Sequence, residues 1–202
     1  MLGLIGAHRT GKTTLAREYA ARSGLLFITS SSTAVHAELG IPMDADLDMQ
    51  TRLKVQHAIL DRAEEDIHRA SGPFVSDRTP LDMAAYLLAD VGRSNVSRVE
   101  IDAAMKYVER CYDMTNTYFF RLVLVSPGIP YVVEEGKPPF NVAYQEHHHA
   151  LVSGLAYDER CEVSLDVLPR DCLSLKERLS SLDEIAKDVS KEIAKDRNLY
   201  LH

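Results

Sequence analysis

Three things are scarce in this 202-residue sequence: cysteine, long apolar runs and an excess of positive charge. Its three cysteines, Cys111, Cys161 and Cys172, form no Cys-x-x-Cys pair, which suits a reducing cytoplasm and a protein without structural zinc. No apolar run approaches the ~18 residues of a membrane span, and the chain opens on a strand-like segment, so we expect neither a signal peptide nor a membrane partner. The formal net charge of −7 excludes a general basic field that would attract nucleic acid or anionic lipid, although a local basic groove stays open.

What the chain does contain is an alternation of strand and helix patterns. The hydrophobic content of 46% and the charged content of 26% are ordinary for a globular protein, and the length suits one domain over residues 1–202. Apolar runs predict strands at 2–5, 25–29, 74–76, 118–125 and 161–168. Helical patterns cover 13–22, 47–70, 79–88, 96–115, 141–155 and 175–193. This alternation predicts an α/β fold with a parallel sheet covered by helices on both faces.

The most specific signal is a phosphate-binding loop between the first strand and the first helix. Gly6 to Thr13 fits Gly-x-x-x-x-Gly-Lys-[Ser/Thr], the Walker A pattern, and its position at a strand-to-helix junction is the context that the mechanism needs. Backbone N–H groups of such a loop, together with the helix N-terminus, cradle a di- or triphosphate. The residues expected to bind the nucleotide are Gly6, Ala7, His8, Arg9, Thr10, Gly11, Lys12, Thr13 and Thr14.

Within this loop, two side chains have distinct expected roles. Lys12 would reach the β- and γ-phosphate oxygens, and the Thr13 hydroxyl would ligate Mg²⁺. His8 is expected to flank the phosphates rather than to take part in catalysis. The sequence therefore predicts a site for a nucleoside triphosphate and Mg²⁺.

Two polar segments follow other strands, at the edge of the sheet where open α/β sheets bind ligands. Asp77-Arg78 ends the third strand, so a carboxylate and a guanidinium would lie beside the phosphate cradle; the alternative is a surface ion pair that caps the next helix. The run Ser30-Ser-Ser-Thr33 follows the second strand, and its hydroxyls either cap a helix or face a substrate. Both segments are candidates for contact with a substrate bound beside the phosphates.

Two other groups of polar residues have plainer interpretations. His147-His148-His149 lies in a predicted helix, where consecutive side chains point about 100° apart and cannot converge on one metal ion, so an exposed helix face is expected. Several charged residues of the 47–70 helix, Arg52 among them, are expected on a solvated face, although one basic residue could lean into a cleft.

Four features together resemble the P-loop nucleoside and nucleotide kinases. They are the phosphate loop, the strand ending in Asp77-Arg78, the segment Thr79-Pro-Leu-Asp82-Met-Ala-Ala-Tyr86 and a flap before the fifth strand. The pattern Asp-Arg-x-x-Leu-Asp-x-x-x-Tyr is most similar to nicotinamide riboside kinase domains and related phage-encoded kinases. The resemblance implies a sheet ordered 2-3-1-4-5 and a small lid at about residues 127–150.

The resemblance also implies roles for individual residues. Lys12, Asp77 and Arg78 would be catalytic, with Asp77 near Mg²⁺ and Arg78 orienting the acceptor or the transferred phosphate. Asp82, Ser30 and Lys137 would lie on the substrate side, although support of Arg78 or of its helix is the expected role of Asp82. Arg170, just after the fifth strand, would contact adenine.

The sequence departs from the family in two places. Deoxynucleoside kinases commonly carry an acidic base after the second strand, where this chain has only Ser and Thr and where Glu38 is the first carboxylate. Kinase lids usually supply arginines, yet none occurs between Arg121 and Arg160, so Lys137 is the cation of the flap and Arg9 could partly substitute. The general base is therefore left open.

The leading expectation is an ATP- and Mg²⁺-dependent kinase, located in the cytoplasm, or in the host cytoplasm if it is phage-encoded. Its acceptor would be a free deoxynucleoside or deoxynucleotide, or else the hydroxymethyl group of 5-hydroxymethyluracil in phage DNA. A homodimer is left open. The alternative class is an ATPase or GTPase switch, but no lysine follows Asn or Thr as the guanine motif [Asn/Thr]-Lys-x-Asp requires.

Overall fold

The computed structural model describes residues 1–92, 95–130 and 141–199, and it contains the expected alternation of strands and helices. The strands are β1 (Leu2–Ile5), β2 (Leu26–Ile28), β3 (Phe74–Ser76), β4 (Arg121–Val125) and β5 (Ser164–Leu168). The helices are α1 (Lys12–Ser23), α2 (Ser32–Glu38), α3 (Met49–Arg69), α4 (Pro80–Val91), α5 (Arg98–Tyr118), α6 (Val142–Tyr157) and α7 (Leu175–Leu199).

The strands form one parallel sheet in the order β2-β3-β1-β4-β5, which confirms the expected order. Leu2 of the central strand pairs with Val75 on one side and with Arg121 on the other. Helices α1 and α7 pack on one face, around Leu15, Leu168 and Leu182, while the larger core of α3 to α6 covers the other face. The loop after β1 therefore leaves the middle of the sheet, where both neighbouring strands deliver side chains to it.

The second strand differs from its expected environment. Its apolar run is typical of a buried strand, but β2 lies at the edge of the sheet, as the order 2-3-1-4-5 implies, and pairs with β3. Leu26 is 42% exposed, and Phe27 and Ile28 are only partly buried. An edge position leaves one flank of a strand uncovered, and the apolar pattern alone does not distinguish an edge from a centre.

Two predicted strands begin later than the apolar runs suggest. Helix α5 continues through Tyr118, and the Phe119 N–H still donates to the Thr115 carbonyl, so β4 begins at Arg121 instead of residue 118. A turn in which the Cys161 N–H donates to the Asp158 carbonyl precedes β5, which begins at Ser164 instead of residue 161. Aromatic and β-branched residues favour strands by propensity, but local hydrogen bonds set the boundaries here.

Two helix starts follow their sequence signals. Thr79 is the N-cap of α4, Pro80 occupies the first helical position, and the Asp82 carboxylate accepts hydrogen bonds from the Thr79 N–H and hydroxyl. The Ser174–Glu177 capping box before α7 is also present, with the Ser174 hydroxyl donating to Glu177. Both helices thus begin at residues that line or support the site.

In the part of the chain that the structure describes, no helix combines the length and the apolar composition needed to cross a bilayer. A single domain over residues 1–202 stays a prediction, as does the lid at about residues 127–150. Lys137, the cation expected in that lid, lies outside the described residues.

Candidate active site

The loop after β1 adopts the conformation that its glycines permit. Gly6 has φ 137° and Gly11 has φ 80°, both in the region that side chains with a Cβ rarely adopt. A Cβ on Gly6 would stand 2.6 Å from the Val125 carbonyl oxygen, and one on Gly11 would stand 2.8 Å from a methyl carbon of Ile129. Arg9, at φ 59°, is the non-glycine residue of the loop with positive φ. The two Walker A glycines are therefore required by sterics at this junction.

Lys12 folds back over the loop. Its Nζ donates to the carbonyls of Gly6 and Ala7, both at 2.6 Å, and the residue is only 5% exposed. Burial is the main cause that lowers the pKa of Lys12 to about 7, against the opposing effect of Asp82. The Lys12 ammonium is thus held at a buried position, from which it would strongly stabilise an anion bound above the loop.

A cavity of about 530 Å³ opens above the loop. His8, Arg9, Gly11, Lys12, Thr13 and Thr14 line it, together with Asp77 and Arg78 from the end of β3. Gly6, Ala7 and Thr10 lie behind this surface, where the Thr10 hydroxyl donates to the Ala7 carbonyl. The fold therefore brings the Asp77-Arg78 pair and the phosphate loop into one cavity, as the sequence predicts.

The Asp77 carboxylate is oriented by residues that directly follow the neighbouring strand, β2. It accepts a hydrogen bond from the Thr29 hydroxyl at 3.1 Å and one from the Ser30 N–H at 3.2 Å. The residue is 3% exposed. The Ser and Thr that replace the family's acidic residue after β2 thus orient the carboxylate of β3. Glu38, the first carboxylate after β2, is instead exposed and forms an ion pair with Arg62.

Arg78 lies between two cavities and lines both of them. Its guanidinium carbon stands 5.0 Å from the centre of the ring of Tyr86 on α4, which is a cation–π contact. Its Nη1 is buried and has no hydrogen-bond partner among the described residues. A guanidinium placed in this way can contact an anion from either side.

Asp82 lies close to Lys12 and Arg78 and is fully buried. One of its oxygens accepts from the Gly6 N–H at 3.1 Å and the other from the Thr79 N–H at 3.0 Å. Burial raises the pKa of Asp82, while the nearby Lys12 and Arg78 oppose that rise. This position favours support of the loop over contact with a substrate.

The second cavity, of about 330 Å³, lies between α2, α3, α4 and α6. Apolar side chains line much of it: Met43, Ala45, Leu47, Val55, Ile59 and Met83. Ser30 lines it as well, and the Ser30 hydroxyl also accepts a hydrogen bond from the Ser32 N–H at the start of α2, at 3.3 Å, so both interpretations of the serine run stay open for this residue. The capping interpretation is wrong for the N-cap residue, Ser31, because its hydroxyl makes no capping bond and donates to Asp66 of α3 instead.

Polar residues also line this cavity, and one of them, Gln56, was missed by the sequence patterns. Arg52 donates to Asp90 at 2.7 Å across the cavity wall, and Gln56 lines the wall one turn further along α3. Arg52 confirms the expectation that one basic residue of α3 leans into a cleft. Gln56 was a polar residue within the apolar stripe of that helix, which is the signal that could have found it.

One residue of the histidine triplet, His148, departs from the expected exposed face, whereas His147 is exposed and His149 is partly buried. His148 is 0% exposed, and its ring centre lies 4.0 Å from that of Tyr86. Burial lowers the pKa of His148 to about 3, aided by Arg78 and Lys12. Packing of α6 against α4 explains the burial, since one residue of any consecutive three faces the core. No group of three or more His, Cys, Asp or Glu residues in the described ranges could hold a metal ion.

His8 connects α6 to the phosphate loop. The Gln145 side chain donates to the His8 carbonyl at 2.8 Å, and the rings of His8 and Tyr144 lie 5.3 Å apart. Burial is the first cause of a lowered pKa of His8, followed by Lys12 and Arg78. His8 thus lines the cavity as a neutral ring near neutral pH.

Part of the lining of the phosphate-loop cavity is apolar. Ile129, Pro130, Leu173 and Leu175 line it. A Cβ on Gly128 would stand 2.0 Å from the Arg170 carbonyl oxygen, so the loops after β4 and β5 touch there. The Arg170 side chain points to Glu146, with which it forms a two-bond ion pair at 2.6 and 2.7 Å. The Arg170 backbone thus packs against Gly128, and the Arg170 guanidinium is held by α6 instead of lining the cavity.

Arg178 of α7 is a further residue of this cavity that the sequence patterns did not single out. It is 2% exposed, and it donates to the carbonyls of Cys172 and Thr10, both at 2.7 Å. The sequence feature that could have identified it is its position within the apolar stripe of α7, three residues after Leu175. A buried guanidinium thus joins the phosphate loop to the loop after β5.

The donor set of the cavity suits Mg²⁺. The Thr13 hydroxyl is exposed at the start of α1, and the Asp77 carboxylate lines the same cavity. Magnesium prefers oxygen ligands and commonly uses one or two protein groups together with phosphate oxygens and water. Thr13 and Asp77 are the residues that could hold it.

Comparison with solved structures supplies known examples of the fold. A structure of deoxyadenosine kinase from M. mycoides, with dCMP and dCDP bound, matches with TM-score 0.66 at 13% identity, over 93% of this chain and 98% of that chain. A second, with dATP bound, has TM-score 0.66, 12% identity and coverage of 92% and 98%. YorR from Bacillus subtilis, in complex with phosphorylated GDP, has TM-score 0.52, 10% identity and coverage of 92% and 95%. The likeness establishes a shared fold.

Sequence comparison identifies a family. No curated protein matches the chain. A family profile described as AAA domain matches residues 2–153, which is well over half of the chain. The matched range holds the phosphate loop, the Asp77-Arg78 pair and most of the second cavity's lining. The chain therefore belongs to the AAA domain family, and its fold is that of the P-loop nucleoside and nucleotide kinases.

Proposed function

We propose that this protein is an ATP- and Mg²⁺-dependent kinase that transfers the γ-phosphoryl group to a hydroxyl of a nucleoside- or nucleotide-type acceptor. The observation that carries the proposal is the position of Arg78, which lines both the phosphate-loop cavity and the second cavity. A donor bound in the first and an acceptor bound in the second would meet at this guanidinium. Two adjoining cavities with a shared cation suit group transfer better than hydrolysis alone.

The second cavity fits a nucleoside in size and chemistry. Its volume of about 330 Å³ lies in the range of small-ligand sites, and its apolar lining suits the faces of a base and a sugar. Gln56 and the Arg52–Asp90 pair offer donors and acceptors for the polar edge of a base. The similarity to deoxyadenosine kinase supports a free deoxynucleoside or deoxynucleotide as the acceptor.

In the proposed reaction, the acceptor oxygen bonds to the γ-phosphorus as the bond to the β,γ-bridging oxygen breaks, and ADP leaves. Lys12 and Arg78 offset the charge on the transferred oxygens, and Lys12 releases its loop carbonyls to do so. The hydroxyl proton passes to Asp77, the only carboxylate among the described residues that line the phosphate-loop cavity. Magnesium, held by Thr13 and Asp77, would neutralise negative charge on the phosphates of ATP.

The test is a transfer assay with γ-labelled ATP. The panel contains deoxynucleosides, their monophosphates, nicotinamide riboside and DNA with 5-hydroxymethyluracil. We expect label on a free deoxynucleoside or deoxynucleotide. Label on the DNA alone, supported by a gel shift at low salt, would identify the modified-base kinase instead. ATP turnover at one rate with and without every acceptor would contradict the kinase and favour a switch.

Arg78→Ala tests the shared cation directly. We expect it to lower kcat/KM for the acceptor by about 100-fold or more, since it removes a charged contact with the transferred group. The matched control is Arg98→Ala, because the Arg98 side chain is 91% exposed on α5 and lines neither cavity. Unchanged acceptor kinetics in Arg78→Ala would assign the residue to structure.

A further inference from the structure

We propose that His148 is a positioning residue for phosphoryl transfer, which holds Arg78 in place relative to the phosphate loop through the ring of Tyr86. This inference rests on the proposed function, because Arg78 is the residue at which donor and acceptor would meet. Three observations lead to it: Tyr86 holds the Arg78 guanidinium, His148 packs tightly on Tyr86, and helix α6, which carries His148, is bonded to the phosphate loop.

The first observation is that the Arg78 guanidinium is held by Tyr86. Its carbon lies 5.0 Å from the centre of the Tyr86 ring, and the guanidinium also donates a hydrogen bond to the Tyr86 hydroxyl. Nη1 of Arg78 is left without a hydrogen-bond partner in the ranges that the structure describes. The direction in which this free donor points therefore depends on the position of the Tyr86 side chain.

The second observation is that His148 fixes Tyr86 from the neighbouring helix. The two ring centres lie 4.0 Å apart with their planes tilted by 46°, and His148 is 0% exposed. Aromatic pairs usually have ring centres about 4.5–7 Å apart, so this contact leaves Tyr86 little room to turn. Neither ring nitrogen of His148 has a hydrogen-bond partner among the described residues. The side chain therefore acts through the contacts of its ring.

The third observation is that α6 is joined to the phosphate loop. The Gln145 side chain donates to the His8 carbonyl at 2.8 Å, and the His8 ring centre lies 6.4 Å from that of His148, edge to face. Gln145 and His148 lie one turn apart on the same buried face of α6. Contacts thus run from the loop through His148 and Tyr86 to Arg78. Group transfer depends on this relative placement, since a misplacement of about 1 Å can cost ~100-fold in rate.

A double-mutant cycle tests whether His148 acts through Arg78. Transfer from γ-labelled ATP to a mixture of the four deoxynucleosides and their monophosphates is measured at limiting and at saturating acceptor concentrations. We expect His148→Ala to lower turnover at saturating acceptor by about tenfold or more, while the dissociation constant of ATP, measured by calorimetry, changes less than about twofold. In an Arg78→Ala protein, the same substitution should lower the rate by less than about twofold.

The matched control is His147→Ala, because His147 is exposed on the same helix, and this variant should keep the wild-type rate. Equal losses from His148→Ala in both backgrounds would mean that the residue acts independently of Arg78 and would overturn the inference. No loss in either background would remove His148 from the reaction. A dissociation constant of ATP that rises as much as turnover falls would assign His148 to the phosphate loop instead.

The placement of Arg78 is also measured without any reaction. Guanidinium signals of ¹⁵N-arginine-labelled protein are recorded by NMR, with Arg78→Lys to assign the Arg78 signal. We expect His148→Ala to shift that signal and His147→Ala to leave it unchanged. An Arg78 signal that is the same in His148→Ala and in wild type would contradict the inference. The spectra decide it even if the wild-type protein transfers label to none of the acceptors, a result that contradicts the proposed function alone.

Tyr86→Leu covers the case in which His148→Ala does not fold, since Tyr86 is only partly buried. Because Tyr86 is the link between the two residues, Tyr86→Leu should lower turnover in the wild-type background and cause no further loss in the Arg78→Ala protein. Equal losses from Tyr86→Leu in the two backgrounds would show that the proposed link does not exist.

Discussion

Lys12 is stabilised in the loop by carbonyls that a phosphate would have to replace. Its Nζ is bonded to the Gly6 and Ala7 oxygens, and burial lowers its pKa to about 7. At pH 8, above that pKa, Lys12 is mostly neutral, and at pH 6 it is mostly charged. A triphosphate beside the amine would raise the pKa again, so binding at pH 8 must draw a proton from the buffer.

We therefore predict that ATP binding is accompanied by the uptake of roughly one proton at pH 8. At pH 6, where Lys12 is already mostly protonated, its contribution to proton uptake should be much smaller. Calorimetry in two buffers of different ionisation enthalpy measures the uptake. Lys12→Arg is the control, because its guanidinium keeps the charge and does not titrate in this range. Identical binding heats in both buffers at pH 8 would show that Lys12 is already charged in the free protein.

In the proposed reaction, Asp77 both binds the metal ion and accepts the proton of the acceptor hydroxyl. We predict that Asp77→Asn lowers kcat by about 100-fold or more, in the range of a lost general base or metal ligand, and changes the dissociation constant of ATP much less. Single-turnover rates and binding are measured across a range of Mg²⁺ concentrations. Partial rescue by high Mg²⁺ would identify metal binding as the main role, and wild-type rates would refute both.

At the scale of elements, the start of α4 supports the phosphate loop. The Asp82 carboxylate accepts from the Thr79 N–H at the helix N-terminus and from the Gly6 N–H in the loop. Two elements 76 residues apart in sequence thus share one buried carboxylate. The position of Arg78, between β3 and α4, depends on the same arrangement.

Asp82→Asn tests this link. An amide can accept from only one of the two backbone donors and turns its NH₂ towards the other, so we expect the free energy of unfolding to fall by about 1–3 kcal/mol. Urea denaturation measures the loss, and ATP affinity should fall with it. Asp102→Asn is the control, since the Asp102 side chain is 62% exposed on α5. Equal stability of the two variants would remove Asp82 from this role.

At the scale of the whole molecule, the packing of α6 on α4 places His148 in a buried position close to basic groups of the site. Lys12, Arg78 and His8 all lower the pKa of the buried His148, after burial itself, and that pKa is about 3. In the unfolded chain, His148 would titrate with the ordinary histidine pKa of ~6.5. Since the folded pKa is depressed, the contribution of a neutral His148 is present above pH 6.5 and is lost as the pH falls towards 3.

We predict that acidification from pH 7 to pH 5 costs the wild-type protein about 2 kcal/mol through His148 alone. Urea unfolding at the two pH values should show a smaller loss for His148→Phe than for wild type. His147→Phe, on an exposed position of the same helix, should keep the wild-type loss. The comparison uses the difference between pH values, so a packing change that is constant with pH does not affect it. An unchanged loss in His148→Phe would show that His148 is not the group responsible.

Sequence alone determined the phosphate loop and the sheet around it. Gly6, Gly11 and Lys12 act through backbone conformation and charge within one short segment, and apolar runs separated by helical periods specify a parallel sheet. These are local properties, so they can be read without knowledge of the neighbours. The Asp77-Arg78 pair was also placed correctly beside the loop, because carboxyl ends of parallel strands share one edge.

Tertiary structure decided everything that depends on which faces meet. Packing of α6 on α4 buried His148, docking of α7 on the phosphate loop placed Arg178, and the approach of α3 to α4 turned Arg52 into the second cavity. Each of these side chains is polar and lies far in sequence from its partners. A helical pattern gives the direction of a side chain relative to its own helix, but the neighbour that it meets is determined only when the helices pack.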